Sequence, residues 1–352
     1  MLTELLSINS YTANREGVAR TVSRFGQSLP EGFITETATH PDFADFTCFR
    51  TERWDSAAPR IALILHADTV FTPEQDVPVR TDGNRVYGPG ASDMQASFVA
   101  VSSCLGKLAA EGALKNILVV VNTCEEKGSP AFQDQMREVA ARVTHVLGFE
   151  KADDGGLPDT DPAYPREFVL ASARKGIFQQ TLSVHGPGGH SGALSQKSER
   201  SNAISHAVGM MADIDRLADY QAGTTINLAF VQGGRKNTVI AENCEFAFDC
   251  RYSDNIEAAR VKEGIAEICS RTYVPGVKVA DHGYSYDLPA LPKNSGTDNL
   301  LTRAQTAGRS VGITVSARPR GGWSDVCNLY AYNPALQVID GLGPKRRQRA
   351  FA

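Results

Sequence analysis

The chain has 352 residues, 42% of them hydrophobic, and its 36 basic and 40 acidic side chains leave a net charge of −4. That length suits about two domains, and the mild acidity excludes the basic field that a nucleic-acid partner would need. No apolar run approaches the ~20 residues of a membrane-spanning helix. The start, Met1-Leu-Thr-Glu-Leu-Leu, carries an acid where a secretory signal has a basic region. Seven scattered cysteines without a CxxC pattern are expected to be free, mostly buried thiols in a reducing cytoplasm.

Leu2 to Leu29 is expected to be helical, with a break around Ser10 to Asn14 and with Asn14 capping the second helix. Phe33 to Arg50 suggests edge strands. The run Ile61-Ala-Leu-Ile-Leu-His66 then ends on a histidine, with Asp68 two positions on. Side chains at i and i+2 of an extended chain share a face. His66 can therefore hold a metal at the strand's carboxyl end, with Asp68 beside it to fix the imidazole. A core histidine at a strand end is the plainer alternative.

A glycine-rich turn, Tyr87-Gly-Pro-Gly90-Ala-Ser-Asp93, supplies a further carboxylate. It is not a dinucleotide loop, because the third glycine and the strand–turn–helix setting are absent. Phe98, Val101, Leu105 and Leu108 recur at helical spacing from Ala96 to Gly112. Asn116 to Cys124 is a second buried strand and runs into Glu125-Glu126. Adjacent carboxylates there repel, and desolvation adds to the cost. A metal offsets one and leaves the other free to act as a base. A third run, from Val143, ends on Glu150, and Lys151 to Pro165 is a loop.

Alternating strands and helices indicate a mainly parallel sheet under covering helices. The carboxyl ends of such strands are where open α/β sheets place ligands. A mixed histidine and carboxylate set suits Zn²⁺ or a similar ion.

After Arg174-Lys175-Gly176 the pattern changes to strand, helix, two strands, helix and strand, ending near Tyr284. That β-α-β-β-α-β order is the split βαβ sandwich. The chain then returns through a helix from Leu300 to Ala307 and the turn Gly321-Gly322-Trp323-Ser324-Asp325. The expected division is a catalytic domain over 1–174 and 287–352, interrupted by a second domain over 175–286.

His66-Ala-Asp68-Thr-Val, Gly88-Pro-Gly90-Ala-Ser-Asp93-Met, Glu125-Glu126-Lys-Gly-Ser and Glu150 resemble, in order, the metal-site motifs of one di-zinc family. Its members include carboxypeptidase G, acetylornithine deacetylase, succinyl-diaminopimelate desuccinylase and aminoacylase. The resemblance implies an α/β, mainly parallel zinc-peptidase domain with an inserted ferredoxin-like lid that joins two subunits. It implies that His66 and Glu150 hold one metal, Glu126 the other, and Asp93 both. Glu125 is then the general base and Asp68 orients His66.

The implied reaction is hydrolysis of the amide bond of N-acyl amino acids or small peptides by a metal-bridging water. His190, in His185-Gly-Pro-Gly-Gly-His190-Ser191, would reach the partner's site to stabilise the oxyanion. Arg251, Asn237, Gly322 and Ser324 would meet the substrate, the last two through a loop that offers backbone donors. His185, at a strand end, is expected to be structural, and His40, His145, His206 and His282 have no motif around them and are expected to be structural or on the surface. The expected protein is a cytoplasmic homodimer with no nucleic-acid or membrane partner.

One departure stands out. The resemblance implies a metal-binding histidine after a Gly-Leu-Gly-Pro stretch. Here Gly341-Leu-Gly-Pro344 is followed by Lys345-Arg-Arg-Gln-Arg-Ala-Phe-Ala352, and no histidine lies after His282. Codons for that tail can be chosen so that losing a single nucleotide yields Gly-Ala-Asn-Ala-His-Ser, so a frameshift with a truncated C-terminus is one reading. The expectation is two zinc ions per subunit in the family and one here, with Co²⁺ able to substitute. A catalytically impaired, metal- or ligand-binding homologue is the alternative.

Overall fold

The computed structural model describes residues 1–83, 85–153, 167–193 and 201–345. The chain forms two compact units. One comprises Met1–Ala173, Lys293–Arg320 and Ser324–Ala352; the other comprises Arg174–Pro292 with Gly321–Trp323.

The first unit is built on a six-stranded sheet. Its spatial order is Phe33–Ala38, Phe46–Thr51, Ile117–Asn122, Ile61–His66, His145–Gly148 and Gln337–Ile339. The last four run parallel and the first two antiparallel. Every residue of Ile117–Asn122 is buried, which explains its unbroken apolar sequence: a central parallel strand is covered on both faces. Of the two strands expected at the edge, only Phe33–Ala38 is one. Phe46–Thr51 lies inside the sheet, and its burial follows from that.

Helices Arg15–Gly26 and Ala96–Ala110 cover one face, where Val18, Val22, Phe25, Phe98, Val101 and Leu105 pack on Leu63, Leu65, Val119 and Val121. Asn14 caps the first of these helices, accepting from the Gly17 amide at 3.1 Å, a contact worth about 1 kcal/mol. Gln133–Arg142 packs against Val326–Tyr332, which lies on the strands His145–Gly148 and Gln337–Ile339.

The second unit has the β-α-β-β-α-β order in full: Gly176–His185, Ala203–Asp215, Thr225–Gly233, Asn243–Tyr252, Asn255–Ser270 and Lys278–Leu288. The four long strands form an antiparallel sheet in which Asn243–Tyr252 and Gly176–His185 are central. Alternate residues Cys244, Phe246, Phe248 and Cys250 join Phe178, Leu182 and Val184 in a core under the two helices. The intervening residues face the other way, as period-two alternation requires. All seven cysteines are free, and of them only Cys104 is exposed.

Candidate metal centre

Three parallel strands deliver the site. In register, Ile64 stands opposite both Val120 and Gly148, and His66 opposite Asn122. The residues that follow these strands, Asp68, Glu125-Glu126 and Glu150, therefore emerge along one edge of the sheet. Asp93 reaches the same place from the distorted turn Ala91–Gln95, where Asp93 and Met94 leave helical geometry and the peptide between them is cis. Gly90 opens that turn with φ +70°, and a Cβ there would stand 2.7 Å from the Thr69 methyl, so a side chain would push the turn out of place.

His66 is buried, and its two ring nitrogens face different partners. Nδ1 lies 2.9 Å from the main-chain oxygen of Asp68 and 3.5 Å from its carboxylate. Nε2 faces Asp93 Oδ1 at 3.3 Å, Glu150 Oε1 at 3.4 Å and Glu125 Oε2 at 3.9 Å. The group that fixes the imidazole is thus the Asp68 carbonyl more than its side chain. The side chain is engaged elsewhere: Oδ1 accepts from the Glu125 amide at 3.1 Å, and Oδ2 from the Glu126 amide at 3.2 Å and the Thr12 hydroxyl at 2.8 Å. Asp68 pins the turn that presents the two glutamates.

His66, Asp93 and Glu150 bring their ligand atoms within 4.8 Å of one another, and Glu126 is not in that group. Donor atoms on a tetrahedral ion with bonds of about 2.0–2.1 Å stand about 3.3 Å apart. The 3.3 and 3.4 Å separations from Nε2 match that spacing. With Nδ1 committed to a carbonyl, Nε2 is left for an ion, so these residues fit a small divalent metal.

The electrostatics follow from many acids in little water. Burial pushes the Glu125 carboxyl well above its ordinary range; His66 opposes this, while Glu150, Asp325 and Glu126 add to it. Burial also carries Glu126 up to about 7, against the pull of His66 and with the push of Asp93. Burial works against ionised Asp93 too, but His66 and then Lys151 outweigh it and hold that carboxyl low. Burial disfavours imidazolium at His66, yet Glu125, Asp68, Asp93 and Glu150 together keep it protonated well above the usual histidine range.

Behind the glutamates lies a buried network that sequence reading missed. Asp325 accepts from Asn122 Nδ2 at 2.7 Å and from the Ser129 hydroxyl. Asn122 Oδ1 in turn accepts from the Thr123 amide at 2.7 Å. Burial pushes Asp325 up to about 6, against these donors. The only hint in the sequence is an acid placed directly before an apolar helix. Lys151, next to Glu150 and likewise overlooked, donates to Asp93 Oδ2 at 2.5 Å.

The other candidates divide between the units. Ser324 is buried and donates to Asp340 Oδ2 at 2.7 Å. Its hydroxyl is committed within the fold, so only its backbone is available to a ligand. In the second unit, Gly322 accepts from Arg174 Nη1 at 2.9 Å. Arg251 pairs with Asp249 at 3.1 Å and donates to the Gly321 carbonyl at 3.1 Å. His190 is exposed on a short strand opposite Val239, and Asn237 is exposed in a turn. His206 is buried and His282 is exposed, bonded to the Ser183 hydroxyl at 2.8 Å. The tail from 346 onward, with the expected truncation and frameshift, lies outside the described residues, as does the loop over 154–166.

Residues 172–277 match the model of a peptidase dimerisation domain. The chain is 25% identical over 291 residues to carboxypeptidase G2 of Pseudomonas sp. strain RS-16, covering 80% of this chain and 66% of that protein. It is also 25% identical over 298 residues to succinyl-diaminopimelate desuccinylase of Acinetobacter baumannii strain SDF, covering 78% of this chain and 73% of the relative. In sequence, this chain is therefore similar to carboxypeptidase G2 and the desuccinylases. Its match thus spans just under two thirds of carboxypeptidase G2. The fold is that of the peptidases: the crystal structure of aminopeptidase PepT from Bacillus cereus ATCC 10987 superposes with a TM-score of 0.72. That alignment covers 96% of this chain and 87% of PepT at 16% identity. Both relatives are hydrolases by name, a carboxypeptidase and a desuccinylase.

Proposed function

We propose that this chain is a zinc-dependent hydrolase that cleaves the amide bond of N-acyl amino acids or small peptides. The observation that carries the proposal is the facing of His66 Nε2 by Asp93, Glu150 and Glu125 within 3.3–3.9 Å. His66, Asp93 and Glu150 would hold the first ion, and Asp93 with Glu126 a second; Co²⁺ would substitute. Bound there, such ions polarise a carbonyl and acidify water.

The chain's own residues do the rest. Glu125, with its carboxyl raised by burial, takes the proton from the attacking water and passes it to the departing amine nitrogen. His190 reaches across the dimer and donates an N–H to the oxyanion developing in the other subunit's site. Arg251 pairs with the substrate carboxylate, and Asn237 with the backbone of Gly322 and Ser324 frames the acyl group. A homodimer in the cytoplasm is part of the reading. Val208 and Ile204 on one helix face, and Leu228, Phe230 and Val231 on the edge strand beside it, expose between 37% and 57% of their surface. An alternative as an inactive homologue finds no support in relatives named as working hydrolases.

The test is a panel of N-acyl amino acids and dipeptides assayed with Zn²⁺ or Co²⁺, using wild type and Glu125→Gln. Wild type should turn over at least one class. The variant should lose at least ~10²-fold in kcat with its metal content unchanged. Loss of a metal from Glu125→Gln would reassign the glutamate pair, and no turnover of any amide would end the proposal.

A further inference from the structure

We infer that the Lys151 ammonium occupies the cation position on the outer oxygen of Asp93, so that the centre holds one divalent ion tightly and a second only weakly. The inference rests on the metal centre proposed above and concerns how many ions it takes.

A carboxylate shared by two ions gives one oxygen to each. In this chain Asp93 Oδ1 is turned to His66 Nε2 at 3.3 Å, while Oδ2 accepts from Lys151 Nζ at 2.5 Å. The second oxygen is therefore already paired with a positive charge carried by the protein. The lysine is placed there by its neighbours in the chain. Glu150 precedes it, and the Ala152 amide that follows donates to the Pro344 carbonyl at 3.2 Å. The Lys151 carbonyl accepts from Arg320 Nη1 at 3.4 Å. With the backbone held on both sides, the side chain reaches Asp93 and keeps 40% of its surface in solvent.

The remaining carboxylate does not compete. Glu126 stays outside the group of converging ligand atoms among the described residues. A first ion at His66, Asp93 Oδ1 and Glu150 displaces only the proton that His66 Nε2 shares with these carboxylates. A second must evict the ammonium or sit beside it, and like charges on one carboxylate repel strongly where water is sparse.

Zn²⁺ titration calorimetry and metal analysis of the full chain, compared between wild type, Lys151→Met and Lys151→Gln, test this. Both substitutions keep an unbranched stem only one atom shorter than that of lysine and remove its charge. Wild type should take one ion tightly. Both variants should bind the second ion about 10- to 100-fold more tightly, the scale of effects from groups around a metal's ligands, with the first ion's affinity unchanged. If wild type takes two ions of equal affinity, or neither variant tightens the second, the role given to Lys151 is wrong. His66→Ala separates the two ideas: it must lose the first ion. If it does not, or if wild type binds no ion at all, the metal centre itself fails, whatever Lys151 does.

Discussion

Asp68 serves its neighbours with two different groups. Its main-chain oxygen meets His66 Nδ1 at 2.9 Å, and its carboxylate takes the amides of Glu125 and Glu126 and the Thr12 hydroxyl. These roles separate under mutation. Asp68→Asn leaves the carbonyl on the histidine but puts an N–H₂ where one of the donors now points. A buried donor facing a donor is costly, and the turn that presents Glu125 must shift. The expected outcome is about a 10- to 100-fold fall in kcat, with the affinity of the ion at His66 held within a few-fold. Equal losses in both would mean that the Asp68 side chain, and not its backbone, orients the imidazole.

Two elements of the second unit lack the cover that their sequences call for. Among the described residues, strand Thr225–Gly233 pairs on one side only, with Asn243–Tyr252, and its other edge is open. Leu228, Phe230 and Val231 project from it partly exposed, as do Ile204 and Val208, one turn apart on helix Ala203–Asp215. An open apolar edge invites pairing with another chain, and a matching peptidase dimerisation domain over 172–277 points to a second copy. Val208 is 54% exposed, so Val208→Asp should not disturb the core. It should shift the proposed dimer to monomer in analytical ultracentrifugation while leaving the circular dichroism unchanged. A dimer that survives both Val208→Asp and Leu228→Asp would place the interface elsewhere.

For the whole molecule, the gathered acids set a pH dependence whose sign can be worked out. Burial raises Glu126 from an ordinary 4.5 to about 7 and Asp325 from 3.8 to about 6, and raises Glu125 as well. Without metal, the folded chain then holds protons that the unfolded chain has released, so stability falls as pH rises from about 5 to 7. His66, raised above its usual value, acts in the same direction. His145 and His206, pulled down by burial, act against it. An ion needs the carboxylates ionised and reverses the balance. The melting temperature of the chelated protein should therefore be higher at pH 5 than at pH 7, and that of the zinc-loaded protein lower. A chelated protein that melts higher at pH 7 would show that these acids do not govern its stability.

Periodicity and composition were enough to set the kinds of element and the chemistry at their ends. Unbroken apolar runs required buried parallel strands, and the residues just past them, His66 to Asp68, Glu125-Glu126 and Glu150, had to collect at one edge because the strands run parallel. Alternation along Asn243–Tyr252 and its neighbours was enough to specify the β-α-β-β-α-β unit, and Asn14 was legible as a cap from its position alone. What each polar atom touches came instead from the packing of distant segments. The hydroxyl of Ser324 goes to Asp340, Asp325 closes a network with Asn122 and Ser129 from far away in the chain, and Lys151 lands on Asp93. The physical reason is one of range. Periodicity follows from backbone geometry within a few residues, whereas the partner of a buried charge is whichever donor the packing of distant segments brings within about 3 Å, and no local pattern encodes that.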